Sequence, residues 1–168
     1  MKTLELFCGT KSFSKVASDW GYETKTLDFE DQFNADFTMD IMDFDVSMLD
    51  GYKPEIVWAS PPCQKFSVAA LGRNWDGRKD GPFTPKNEET YHALEIVKKT
   101  VQIIKKLKPR YFYIENPRAM LRKMNIIPYP YATVTYCQYG FKYMKPTDIW
   151  SNNKDGKWLL KAVFFFFF

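Results

Sequence analysis

The chain reads as an α/β domain: a Rossmann-like, open, mostly parallel sheet with helices on both faces. Three observations predict it. Short apolar runs alternate with segments of helical periodicity, the pattern of βαβ units. One run, Tyr-Phe-Tyr-Ile at 111–114, is apolar throughout, as a strand covered on both faces must be. The 168 residues, 45% of them apolar, suit one domain with a real core, and no repeat or linker divides them.

The elements follow in order. Residues 3–8 form a short strand. Phe13, Val16, Ala17 and Trp20 recur at helical spacing, a stripe that Gly21 is placed to end. Residues 23–27 and 56–59 are the next strands. Asn87 is a cap for a long helix to about Leu107, with Leu94, Val97, Val101 and Ile104 on one face. Lys98, Lys99, Lys105 and Lys106 lie mostly away from that face, and Pro109 closes the helix. Residues 111–114 and 132–137 supply two later strands.

Composition excludes more than it assigns. Cys8, Cys63 and Cys137 lie far apart with a single histidine, His92, which argues against a zinc site and against a disulfide framework. No apolar run approaches the roughly 20 residues of a membrane span, and no signal peptide opens the chain, so a cytoplasmic protein is expected. The net charge of +4 permits nucleic-acid binding without demanding it. Residues 28–50 carry acids and no Lys or Arg, and basic residues concentrate from Lys65 onward. That asymmetry reads either as a solvated face or as a basic side that meets phosphates. Val163 is followed by five phenylalanines, read as a frameshifted or truncated frame and left out of the fold.

Ligands of such sheets bind beyond the carboxyl ends of the strands. Phe7-Cys-Gly9, Asp28, Ser60-Pro-Pro-Cys63 and Glu115-Asn-Pro117 all follow strand ends and converge on one rim. Gly9 lets a ligand approach the backbone at a helix start, and Asp28 lies at the distance from it at which an acid reaches ribose hydroxyls. One glycine plus one acid suits a nucleoside whose anion is a carboxylate, such as S-adenosylmethionine; a turn glycine and a surface aspartate fit equally. Cys63 is a nucleophile if a nearby cation such as Lys65 lowers its pKa, and otherwise a small turn residue. Glu115 projects into the rim to bond a ring nitrogen, or is an exposed acid at a strand-ending turn.

Taken in order, these motifs resemble the C5-cytosine DNA methyltransferase family. Ser60-Pro-Pro-Cys-Gln64 is similar to its nucleophile motif and Glu115-Asn116-Pro117 to its acid motif. Tyr136–Gly140 and Met144–Trp150 resemble its next block, in the form of short bacteriophage-type members. The resemblance implies that Cys63 attacks C6 of cytosine and Glu115 bonds N3, with Gln64 and Asn116 beside them. It implies that Phe7, Gly9, Thr10, Lys11, Asp28, Asp40 and Pro61 hold S-adenosylmethionine. The target base must leave the duplex stack. The segment from Lys65 to Lys86 becomes a DNA-closing lid, and Ser67, Arg73, Arg78, Lys79, Gln138, Lys142 and Lys145 become DNA contacts. A metal-free monomer of a bacterial or phage-infected cell is expected, with residues 1–152 as catalytic domain and 153–168 as a truncated or artefactual tail.

The sequence also departs from the family. Lys11 stands at the second glycine of Gly-x-Gly, where it is read as facing the cofactor's carboxylate. Lys142, Tyr143 and Lys145 stand where arginines are expected, with Tyr143 at the place where short members carry Arg, and lysine lacks arginine's planar fork. Full-length members continue into a target-recognition domain, and this chain is expected to lack one. An inactive cofactor- or DNA-binding remnant and an RNA cytosine methyltransferase are the alternatives.

Overall fold

The computed structural model describes residues 1–77, 82–140, 142 and 144–153. Arg78, Lys79, Tyr143 and all of the expected tail but Asn153 lie outside the described residues. The elements run β1 (Lys2–Leu6), α1 (Ser12–Asp19), β2 (Glu23–Asp28), β3 (Phe37–Thr38), β4 (Ile56–Ala59), α2 (Leu71–Asn74), β5 (Trp75–Asp76), β6 (Thr84–Pro85), α3 (Glu88–Leu107), β7 (Tyr111–Pro117), β8 (Tyr131–Thr135) and β9 (Pro146–Ser151).

Seven strands form one sheet in the order β3-β2-β1-β4-β7-β9-β8. β3 through β7 pair in parallel; β9 runs antiparallel to both neighbours. The chain turns back on itself between β1 and β4, so the loops after these strands open at a topological switch point. Alternation along the strands divides the core. Leu4, Leu6, Val57, Ala59, Phe112 and Ile114 face α3, which buries Val97, Val101 and Ile104 against them. Trp58, Tyr113 and Ile149 face the other way, where α1 lays Phe13 and Ala17 on them and the Phe13 and Trp58 rings stack at 5.5 Å. The expected fold, with helices on both faces, is therefore the observed one. Asn87 caps α3, accepting from the Thr90 N–H at 2.9 Å.

Four local expectations change. α1 stops at Asp19, because the Gly21 and Tyr22 N–H groups close its last carbonyls; Trp20 falls beyond the helix and is 47% exposed. β1 ends at Leu6, because Phe7 turns to φ 61. β7 continues past Ile114 to Pro117, because antiparallel β9 pairs with it as far as Thr147. Conversely, β8 stops at Thr135, and the residues after it form a 3-10 turn at Tyr136–Tyr139. The basic segment from Lys65 is not a bare loop either. It folds a short helix and a two-stranded ribbon, with Trp75 buried against Phe66 and its indole N–H donating to the Lys65 carbonyl at 2.7 Å. Gly77 makes the ribbon possible: a Cβ there would meet the Pro82 carbonyl oxygen at 2.6 Å.

Candidate active site

The corner after β4 holds the thiol. Pro61 and Pro62 end the strand, since neither can donate to a ladder, and Cys63 follows, half-buried. Asn116, inside β7 and 1% exposed, donates from Nδ2 to the Pro61 carbonyl at 2.9 Å. The corner is thereby tied to the strand that carries Glu115. The Phe66 N–H closes a turn on the Cys63 carbonyl at 3.0 Å, and Gln64 lies exposed on that turn. The Ser67 hydroxyl donates to the Gln64 carbonyl at 3.5 Å, and its carbonyl accepts from the Ala70 N–H at 3.1 Å.

Glu115 is buried, and two side chains address its Oε1. The Tyr136 hydroxyl donates at 3.3 Å and the Lys145 ammonium lies 3.8 Å away. Burial pushes the Glu115 carboxyl above its usual range; Lys145 and Tyr136 oppose that only in part. The Cys63 thiol is likewise pushed up, first by burial and then by the Glu115 charge, while Lys145 pulls it down. Lys145 is thus the cation of this site, in place of Lys65, which pairs with Glu89. Cys8 is a contrast: it is buried between Glu5 and Asp28 and its thiol is pushed up to about 11.

On the other side of the switch point, the loop after β1 is held by carboxylates. Asp28 accepts from the Gly9 N–H at 2.8 Å and the Glu30 N–H at 3.1 Å. Its two oxygens therefore shape the loop before they meet any ligand. Gly9, at φ 45, leaves open space where a Cβ would be. Thr10 is exposed. Lys11 sits in the left-handed region at φ 59, and its ammonium donates to the Asn34 carbonyl at 2.5 Å.

Between these two ends lies a cavity of about 260 Å³. Phe7, Phe29, Asp40, Ile41, Pro62 and His92 are among its lining residues. It adjoins the proline corner through Pro62; Pro61 turns its carbonyl to Asn116 instead. By volume it has room for roughly nine waters' worth of ligand. An apolar cleft beside an open glycine at a helix start, with one carboxylate in its wall, fits a nucleoside such as that of S-adenosylmethionine.

Some expected contacts sit apart from this cluster. Arg73, Gln138 and Lys142 are exposed, and Arg78 and Lys79 lie outside the described residues. Lys145, expected at DNA, instead faces Glu115. Sequence reasoning gave no site role to Phe29, Ile41 or His92, and read Pro62 and Tyr136 only as parts of longer motifs. Phe29 follows Asp28 and Ile41 follows Asp40, so position next to a rim acid was the available signal. Among the described residues, no group of three or more His, Cys, Asp or Glu could hold a metal, and no helix is long and apolar enough to cross a membrane.

Comparison with known proteins agrees with this geometry. A family model described as C-5 cytosine-specific DNA methylase matches residues 1–143. The Frog virus 3 protein named "Probable DNA (cytosine-5)-methyltransferase" is 32% identical over 160 residues, covering 90% of this chain and 71% of the viral protein. Among solved structures, a prophage-encoded E. coli protein provisionally named a DNA modification methyltransferase superposes with a TM-score of 0.63 at 14% identity, over 90% of this chain and 46% of its own. The S. pombe Dnmt2 methyltransferase does so with a TM-score of 0.57 at 14% identity, over 90% and 48%. The chain thus spans about half the length of the solved structures it matches, and those likenesses concern the fold.

Proposed function

Because this chain belongs to the C-5 cytosine-specific DNA methylase family, we propose that it methylates C5 of cytosine in DNA, with Cys63 as nucleophile and Glu115 as acid. One observation carries the reading. A thiol and a buried carboxyl, both biased toward their protonated forms, are joined electrostatically by Lys145 at the carboxyl ends of neighbouring strands.

The chain's own groups then have these roles. Cys63 gives up its proton and its sulfur bonds to C6. The electron pair displaced through the ring is received at N3, where Glu115, its carboxyl raised by burial, delivers a proton. S-adenosylmethionine, when bound, supplies the electrophilic methyl group that C5 takes. Removal of the C5 proton by a base forms the C5–C6 double bond as the C6–sulfur bond breaks, and N3 returns its proton to Glu115. Lys145 offsets part of the burial that holds Cys63 protonated, and so eases the loss of its proton. Asn116 keeps the proline corner, and so the sulfur, at a fixed place.

Phe7, Phe29 and Asp40 would hold the nucleoside of the donor, and the open face of Gly9 would admit its backbone-bound end. Asp28 serves by fixing that loop. Residues 1–152 would act as the catalytic domain, and Ser67, Arg73, Gln138 and Lys142 would meet the nucleic acid.

The test is transfer of labelled methyl from S-adenosylmethionine to duplex DNA by the full chain and by Cys63→Ala. The wild type is expected to label DNA, and the variant to fold normally and lose transfer by more than about a thousandfold. A duplex with 5-fluorocytosine, whose C5 has no proton to lose, should trap the wild-type protein covalently. Binding of the donor without transfer to any DNA would overturn the enzymatic reading.

A further inference from the structure

We propose that His92 recognises the purine of the methyl donor, giving a hydrogen bond to a ring nitrogen while Asp40 accepts from the exocyclic amine. The proposal rests on the cofactor reading above and adds a residue and a selectivity to it.

His92 is the only histidine in the chain. It stands on the exposed side of the first turns of α3 and also lines the cavity. Among the described residues its imidazole has no hydrogen-bond partner. The cavity wall is otherwise short of polar side chains. Phe7, Phe29, Ile41 and Pro62 offer no donor, and neither do the remaining aliphatic side chains. Asp40 accepts from the Met42 N–H through Oδ1 at 2.8 Å, which leaves Oδ2 for a ligand. An ionised carboxylate only accepts, whereas an imidazole always has a ring N–H to donate. Among the described residues, side-chain recognition in this cavity therefore reduces to one acceptor, Asp40, and one donor, His92.

Adenine presents the matching set, an amine donor beside ring-nitrogen acceptors. A 6-oxopurine puts a carbonyl where the amine was, so it would face the Asp40 carboxylate acceptor to acceptor. The pair thus selects adenine over hypoxanthine. A histidine on the exposed face of a helix, turned to water, would have no such effect.

The experiment is calorimetric titration of the full chain with S-adenosylhomocysteine, its 1-deaza and 7-deaza forms and its inosine form. His92→Ala should weaken S-adenosylhomocysteine about three- to tenfold, the range expected for one net hydrogen bond, with the melting temperature unchanged. His92→Gln, which keeps a donor, should recover part of that loss. One deaza analogue, the one lacking the acceptor that His92 addresses, should bind wild type and His92→Ala equally. The inosine form should bind the wild type more weakly than the adenosine form. Equal affinity of wild type and His92→Ala for S-adenosylhomocysteine, or the same loss with both deaza forms, overturns the proposal. Failure of the wild type to bind S-adenosylhomocysteine at all removes the cofactor reading itself, a different and separately visible result.

Discussion

Glu5 and Asp28 at one end of the rim and Glu115 at the other are all buried carboxylates, yet they are held in opposite ways. Glu5 accepts from the Phe13 and Ser14 N–H groups at 3.3 and 2.9 Å, and Asp28 from those of Gly9 and Glu30. Among the described residues Glu115 receives no backbone donor, only the Tyr136 hydroxyl and the Lys145 ammonium. A backbone donor fixes a loop and cannot leave. A side-chain donor can turn aside when a substrate arrives. The same residue type is therefore structural beside β1 and available for chemistry on β7, and the donor's identity tells the two apart.

Substitution by glutamine should separate them most sharply. Glu115→Gln is expected to lower methyl transfer by about 10²- to 10⁴-fold, since N3 loses its proton donor, with little change in unfolding midpoint. Glu5→Gln turns an amide toward N–H groups that need an acceptor, and should cost about 1–3 kcal/mol in urea unfolding. Burial raises the Glu5 carboxyl as well as that of Glu115, so the share of Glu115 in the pH dependence is read by difference. Burial raises the Glu115 carboxyl above 4.5, so the folded chain holds a proton that the unfolded chain has released. That contribution to stability is full below 4.5 and is lost as pH rises through the raised folded value. Glu115→Gln removes it, so stability should fall less steeply as pH rises above 4.5 than in the wild type. Equal slopes, or an active Glu115→Gln, would break the comparison.

Much of the division was legible in the sequence, because the proline corner, Glu-Asn-Pro and the first glycine all follow apolar runs. What was not legible depends on distant partners. β9 was hidden because Asp148 interrupts its apolar character. That aspartate is fully buried, and the charge is met by Arg122, 26 residues earlier in the chain. Without β9, β7 reads as ending at Ile114, and Glu115 as a loop acid. Lys145 was assigned to DNA by its charge, because only the pairing of β9 with β7 carries it back to Glu115. Trp75 was read as part of a loop, because its partner Phe66 is a neighbour only once the ribbon folds.

Lys145 offers the next, smaller test. Among the described residues it is the one cation that lowers both Cys63 and Glu115. Lys145→Met should move the alkylation midpoint of Cys63 further up, read in a Cys137→Ser background because Cys137 is exposed. Transfer should fall roughly tenfold to a hundredfold. An unmoved midpoint would mean that the ammonium serves the nucleic acid after all.

Lys11 is the smallest expected effect and bears on the backbone-held end. A side chain in the left-handed region costs about 1–2 kcal/mol, and Lys11 sits there at φ 59. Glycine removes that cost but loosens the unfolded chain by about 0.5–1 kcal/mol, and the bond to the Asn34 carbonyl is lost. Lys11→Gly should therefore change stability by less than about 1 kcal/mol. Its effect on the donor is the sharper reading. Because the ammonium rests on Asn34, affinity for S-adenosylhomocysteine should change by less than about threefold, well under the tenfold that 1.4 kcal/mol represents. A tenfold loss would mean that Lys11 leaves Asn34 to meet the donor's carboxylate. The loop after β1 would then contribute a movable charge of its own, and the contrast with Glu115 would hold for its acids alone.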